Sequence, residues 1–149
     1  MDRFALRFSL GYVAASEEVQ ILSDQSNHHP LEALEAVSTH ADIERLRERV
    51  RAVAIADELK RYIVDLIVAT READGVLIGA SPRASLAVMK CAQALALFDG
   101  LEFVTPDQIQ EIAVPVIAHR LVMEPQARFS GHTAESVVTA VLEAVPVPA

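Results

Sequence analysis

"GVLIGASPRASLAVMKCAQALALFDG", residues 75–100, is a helix written with its own start and stop. Ser81 offers an N-cap oxygen, Pro82 occupies the first helical position, and Gly100 follows the last apolar residue. The spacing predicts one elongated helix from Ser81 to about Phe98. Arg83 is the anomaly. It places a full positive charge in the first turn, where the helix already carries partial positive charge, at a cost of roughly 0.3–1 kcal/mol when exposed. An anion at that end would reverse the sign, because a helix N-terminus with a guanidinium fork is suited to phosphate. Gly79 and Ala80 are expected to keep the approach open. The competing account is that Arg83 pairs with Glu72 or Asp74 on the preceding loop, and residue pattern alone favours that ion pair.

Outward from this helix, the chain reads as mostly helical. Ser16 heads "EEVQILSDQ"; "LEALEAV" suggests a short helix; Thr39–Val53 places Ile43, Leu46, Val50 and Val53 on one face. Asp57 heads a helix with Leu59, Ile63, Leu66 and Ile67 inward. Thr105, Pro106 and Gln108 form a capping box with proline in the first turn, and Pro115 should kink or end that helix. "MEPQARFSGH" reads as a connector, and Thr133 caps a last helix with Val137, Val138, Val141 and Leu142 inward. The exception is "RFALRFSLGYV". Phe4, Leu6, Phe8, Leu10 and Tyr12 alternate with Ala5, Arg7, Ser9 and Gly11, which predicts a β-strand with no sheet in this chain to join. The expected fold is therefore an all-α helical bundle over residues 14–149, preceded by one orphan strand in residues 1–13.

Composition narrows the function. The 149 residues carry a net charge of −8, which gives no basic footprint for nucleic acid. Hydrophobic residues make up 52% and aromatics 5%, an Ala-, Val- and Leu-rich core suited to closely packed helices. No window approaches the about 18 apolar residues of a membrane span. The single cysteine, Cys91, excludes an internal disulfide, and a cytoplasmic location is expected. Cys91 reads as a small buried hydrophobe. His28 and His29 beside Pro30, with His40, lack a zinc-type spacing, so no metal site is expected. His119 and Arg120 close a helix, where cations complement the dipole. There is no G-x-x-x-x-G-K-[ST] loop, no G-x-G-x-x-G and no H-E-x-x-H. If Arg83 meets a phosphate, another polypeptide segment must hold the nucleotide.

"GASPRAS" (79–85) resembles the sensor-2 motif of AAA+ ATPases of the MoxR family. "DRFALRFSLGY" (2–12) is similar to that family's DRF segment, the last strand of its nucleotide-binding α/β domain. "TPDQIQEIAVPVIAHRLV" and "TAESVVTAVLEAVPVP" resemble its C-terminal stretch. The resemblance implies that residues 1–13 close the α/β domain and residues 14–149 form the helical lid. It implies ATP and Mg2+ as ligands of the full-length enzyme. Arg83 takes the role of sensor-2 arginine at the γ-phosphate of its own subunit, and Arg3 that of the finger reaching a neighbour's ATP. Ser81 and Ala80 lie beside the phosphate, and Tyr12 and Ile21 near the adenine. The implied assembly is a homo-oligomeric, hexameric ring with chaperone-like activity and von Willebrand factor A domain proteins as partners. The family's phosphate loop, magnesium-binding acids and sensor-1 residue are expected upstream of Met1, so this chain alone is expected not to hydrolyse ATP. The alternative is a stand-alone acidic helical interaction module without ATPase activity; a third reading is an acidic helical regulator unrelated to ATP.

Overall fold

The computed structural model describes residues 3–26 and 29–148, with the side chains of Pro30 and Arg128 left aside. Seven α-helices dominate the described residues. They are α1 (Ala15–Asp24), α2 (His40–Ala52), α3 (Asp57–Glu72), α4 (Pro82–Phe98), α5 (Pro106–Ile117), α6 (Pro125–Phe129) and α7 (Ala134–Ala144). Short 3₁₀ turns occupy Pro30–Ala33 and Ala118–Arg120. Two short strands, β1 (Val76–Ile78) and β2 (Val122–Met123), pair antiparallel, with Val76 opposite Met123 and Ile78 opposite Val122. The chain divides into two compact units, one of residues 8–46 and one of residues 3–7 with 47–148.

In the larger unit the core is built from α3, α4, α5 and α7. Leu59, Tyr62, Ile63, Leu66, Ile67 and Thr70 make the buried stripe of α3. On α4 the buried stripe is Ala84, Val88, Ala92 and Ala96, each four residues after the last and each fully enclosed. Small side chains there let neighbouring helices approach closely. Ile109, Ile112, Ala113, Val116 and Ile117 of α5 and Val137, Val138 and Val141 of α7 complete the core. Burying each of the larger aliphatics is worth about 1.5–3 kcal/mol.

Helix ends follow the sequence signals closely. The Ser81 hydroxyl accepts the Arg83 amide at 3.3 Å. At the other end of α4, Gly100 takes φ +77 and donates to the Leu97 carbonyl, while Leu101 donates to the Ala96 carbonyl. That double closure requires the left-handed region, which glycine enters without a Cβ penalty. Gln108 accepts the Thr105 amide at 2.8 Å, and the Thr133 hydroxyl accepts the Ser136 amide at 3.0 Å.

Several expectations need correction. Residues 4–12 form no strand. Without a partner their backbone cannot satisfy a ladder, so the segment stays irregular, and Phe4, Phe8, Leu10 and Tyr12 are exposed. Residues 3–7 dock on the larger unit instead, through bonds described below. Pro115 does not end α5. The helix runs two residues further, to Ile117, and then tightens into the 3₁₀ turn at Ala118. "READGVLIGA" contains β1 rather than only loop, and the connector contains the short α6. "LEALEAV" yields a 3₁₀ turn over Pro30–Ala33.

The smaller unit holds α1, the first 3₁₀ turn and the start of α2. Ala14, not Ser16, precedes α1, and its amide is taken by the Glu17 carboxylate at 2.9 Å. Thr39 begins α2, donating its amide and hydroxyl to Asp42 at 2.8 and 2.6 Å. Of the α2 face read from the sequence, Ile43 is exposed, Leu46 and Val50 are half-buried, and Val53 alone is buried. His29 caps its turn by accepting the Leu31 amide at 3.2 Å, and His28 lies outside the described residues.

Candidate functional site

The buried alanine stripe of α4 leaves a second stripe on the helix. Leu86, Ala87, Lys90 and Cys91 stand three, four, seven and eight positions after Arg83, so the five share a face. This face lines a cavity of about 530 Å³ whose other walls are Arg3, Ala5 and Arg120. Four cationic side chains from three elements converge there, and no acidic side chain is among the described residues of the lining. Collecting like charges in one depression raises the local potential and attracts anions.

Arg120 reaches this cavity from the 3₁₀ turn after α5. Its Nε donates to the Val116 carbonyl at 2.8 Å, satisfying one of the orphan carbonyls that end a helix. Its Nη2 donates to the carbonyls of Phe4 at 2.6 Å and Ala5 at 3.2 Å. His119 sits beside it with Nδ1 at 3.1 Å from the Pro115 carbonyl and Nε2 at 3.2 Å from the Phe4 carbonyl. The Arg7 amide donates to the Pro115 carbonyl at 2.9 Å. The segment carrying Arg3 is thereby fastened to the end of α5. Cys91 is half-buried in the same wall. Burial pushes its thiol above the usual range, against the opposing pull of the Arg120 charge.

The entrance to α4 is fixed by α3. Thr70, fully buried, accepts the Ala80 amide at 3.1 Å, and the Arg71 Nε donates to the Ala80 carbonyl at 2.9 Å. Ala80 is buried and both of its backbone groups are engaged. Gly79 crosses α3 so closely that a Cβ would lie 2.6 Å from the Arg71 Cα. Gly79 serves this crossing rather than an open approach. Glu72 and Asp74 line a different cavity, of about 640 Å³, beside α7. Those two carboxylates make that cavity a poor host for phosphate. Tyr12 and Ile21 belong to the smaller unit and are exposed.

The structure therefore brings Arg3 and Arg83 to one cavity and sets Ser81 and Ala80 at the start of the helix that holds it. Sequence reading missed Lys90, Cys91 and Arg120 as lining residues. Lys90 and Cys91 were within reach, being seven and eight residues after Arg83 on one helix. Arg120 was not, since its approach depends on tertiary packing.

Comparison with known proteins gives the following likenesses. The sequence pattern of the AAA lid domain family matches residues 68–141. The chain is 40% identical over 148 residues to the uncharacterized protein YeaC of Bacillus subtilis, covering 99% of this chain and 46% of that protein. It is 33% identical over 156 residues to the chaperone MoxR1 of Mycobacterium tuberculosis, covering 99% of this chain and 41% of that one. A crystal structure described as a "putative ATPase" from Cytophaga hutchinsonii superposes with a TM-score of 0.86 at 26% identity, covering 99% of this chain and 48% of that one. The chain thus spans about half the length of these relatives or less.

Proposed function

We propose that this chain is the lid-bearing part of a MoxR-type AAA+ ATPase, a reading supported by the AAA lid domain match and the likeness to MoxR proteins, and that it supplies arginines for ATP binding and hydrolysis in a ring-shaped, chaperone-like enzyme. The observation that carries this reading is the cavity shared by Arg3, Arg83, Lys90 and Arg120. Bound ATP would bring phosphoryl-transfer chemistry to these residues, with Mg2+ held by acids outside these 149 residues. The cavity fits such a ligand: a lining of guanidinium and ammonium groups without described carboxylates suits phosphate oxygens. In this reading Arg83 and Arg3 neutralise charge that develops on phosphate oxygens in the transition state, as arginines do in phosphoryl transfer. Ser81 and Ala80 hold the first turn of α4, so Arg83 is presented from a rigid base.

The resemblance implies that Arg83 serves the nucleotide of its own subunit and Arg3 that of a neighbour; the shared cavity favours a different assignment. Two side chains lining one cavity are better placed to serve one nucleotide together. We therefore assign both arginines to the same ATP, held by a neighbouring α/β domain in the ring. Residues 1–13 then act as the junction to the chain's own α/β domain, which covers the exposed Phe8, Leu10 and Tyr12. Tyr12 and Ile21 are assigned to the adenine side of that junction. A hexameric ring in the cytoplasm, with von Willebrand factor A domain proteins as partners, completes the reading.

The experiment is a subunit-mixing assay with the full-length ATPase. Arg3→Ala and Arg83→Ala should each lower hydrolysis, by about 10³-fold for an arginine acting on the transferred phosphoryl group. Mixing either variant with subunits that cannot bind ATP should restore activity where a competent nucleotide site meets intact arginines, and the two variants should give the same pattern. A cis pattern for Arg83→Ala would refute the shared nucleotide. Parental hydrolysis by both variants would favour the interaction module without ATPase activity.

A further inference from the structure

We propose that Arg120 is a positioning residue for Arg3, a clamp through which the end of α5 sets where the finger arginine stands. The inference rests on the ATPase reading above and adds a residue to it. Residues 3–7 have no regular structure of their own, so their position depends on bonds to the folded body. Arg120 supplies these at the two carbonyls that follow Arg3 directly, Phe4 at 2.6 Å and Ala5 at 3.2 Å. Its Nε holds the Val116 carbonyl at 2.8 Å, so the guanidinium is fixed at its base before it reaches the segment. The planar fork makes this possible, because its donors point in separate directions and one side chain can bridge a helix end and a remote strand of backbone. A lysine ammonium at the end of a flexible stem would not hold both ends in fixed geometry.

Three further contacts favour a clamp over simple helix capping. The Arg7 amide and the His119 Nδ1 both lie within hydrogen-bond distance of the Pro115 carbonyl, at 2.9 and 3.1 Å, and His119 Nε2 lies 3.2 Å from the Phe4 carbonyl. Pro115 is near the end of α5, where carbonyls lack intrahelical donors. The helix end is thus satisfied partly by the Arg3 segment itself. Any motion of α5 would carry Arg3 with it, so closure of the lid and placement of the finger become one event.

The test uses the full-length ATPase with four variants: Arg120→Ala, Arg120→Lys, Arg3→Ala and the Arg3→Ala/Arg120→Ala double. Misplacing a reacting or stabilising group by about 1 Å can cost about 10²-fold. Arg120→Ala is expected to lower kcat by that order, a larger effect than the rise in KM for ATP from losing one lining cation, and Arg120→Lys to recover part of the kcat. On the Arg3→Ala background, Arg120→Ala should cost less than about twofold, because the group it positions is gone. The second readout is amide hydrogen exchange at Arg7, expected to quicken at least about tenfold in Arg120→Ala, which removes two charge-assisted hydrogen bonds to the segment, and not in Arg83→Ala. An equal loss of kcat with and without Arg3, or unchanged exchange at Arg7 in both Arg120 variants, overturns the proposal. If Arg3→Ala keeps parental kcat while Arg120→Ala quickens exchange at Arg7, the clamp stands and the finger role fails. If Arg120→Ala does not fold, Arg120→Lys carries both readouts.

Discussion

Thr70 and Ala80 are joined by a buried hydrogen bond that fixes where the cationic helix begins. The Thr70 hydroxyl donates to the Ile67 carbonyl at 2.6 Å and accepts the Ala80 amide at 3.1 Å, with no exposure to solvent. Thr70→Val keeps the shape and removes the acceptor. The Ala80 amide is then buried without a partner, a loss of about 1–3 kcal/mol. Thr70→Ser should recover most of it. Urea unfolding of the 149-residue chain measures both, and a Thr70→Val chain as stable as the parent would show that the bond is dispensable.

Gly79 and Gly100 test two different reasons for glycine. At Gly79 an added Cβ would meet the Arg71 backbone, 2.6 Å from its Cα and 2.8 Å from its nitrogen. A helix backbone cannot yield as a side chain can, so Gly79→Ala should cost about 1–3 kcal/mol and displace the start of α4. At Gly100 nothing lies within 4 Å, but φ is +77. Gly100→Ala pays only for the left-handed backbone, about 1–2 kcal/mol. Only Gly79→Ala should also shift the resonances of Ser81 and Arg83, and an NMR comparison of the two variants separates the cases.

The fold was legible where local chemistry and packing agreed. Ser81, Pro82 and Gly100 bound α4 as read, because caps and stops act within one turn. Residues 4–12 were misread for the opposite reason. Their alternation is a statement about a sheet, and the two-stranded sheet of β1 and β2 does not take them in. The pairing of β1 with β2 joins Val76 to Met123 and Ile78 to Val122, far apart in sequence, and no local signal announces such a pair. The site was half legible. Arg83 stood out because its charge opposed the helix dipole. Arg120 looked like a C-terminal cap, which it is, and its second function lay in the fork directed at Phe4 and Ala5.

Acid should loosen the start of α2. Asp42 accepts from the hydroxyl and amide of Thr39 and pairs with Arg45, and these bonds hold its carboxyl below the ordinary carboxylate range. A depressed folded-state value gives stability that is present above the unfolded value of about 3.9 and is lost as pH falls through the folded value. The Asp42 and Thr39 resonances should therefore report fraying only at pH below about 4. Asp42→Asn should remove that pH dependence. A transition at the same pH in the Asn variant would assign it to another group.

Cys91 offers a reporter on the cavity wall. Its thiol is pushed up by burial, so at neutral pH a smaller share is thiolate than in an exposed cysteine. Alkylation by iodoacetamide should be slower than that of free thiol and should accelerate over a more alkaline range. Arg120→Ala should slow it further by removing the charge that opposes the shift. The raised folded-state value also means that stability from this group is present below the unfolded value and lost as pH rises through the folded one. Reaction at the rate of free cysteine at pH 7 would show that the wall opens readily.

The cavity itself can be tested apart from catalysis, with the 149-residue chain and inorganic tripolyphosphate. The chain has no phosphate-cradling loop, so ATP hydrolysis by it should be undetectable. Anion binding needs less. Arg3, Arg83, Lys90 and Arg120 face one space of about 530 Å³, and their summed potential should hold a polyanion despite a chain charge of −8. Calorimetric titration should give weak binding that fades as salt rises, since the Debye length shrinks from about 30 Å at 0.01 M to about 10 Å at 0.1 M. Arg83→Ala and Lys90→Ala should each weaken it, and Arg83→Lys should restore only part, because a lysine keeps the charge and loses the planar fork. Glu72→Gln, on the cavity beside α7, should leave it unchanged. If tripolyphosphate binds the Arg83→Ala/Lys90→Ala chain as well as the parent, the anion lies elsewhere, and the convergence of four cations on α4 is a matter of packing alone.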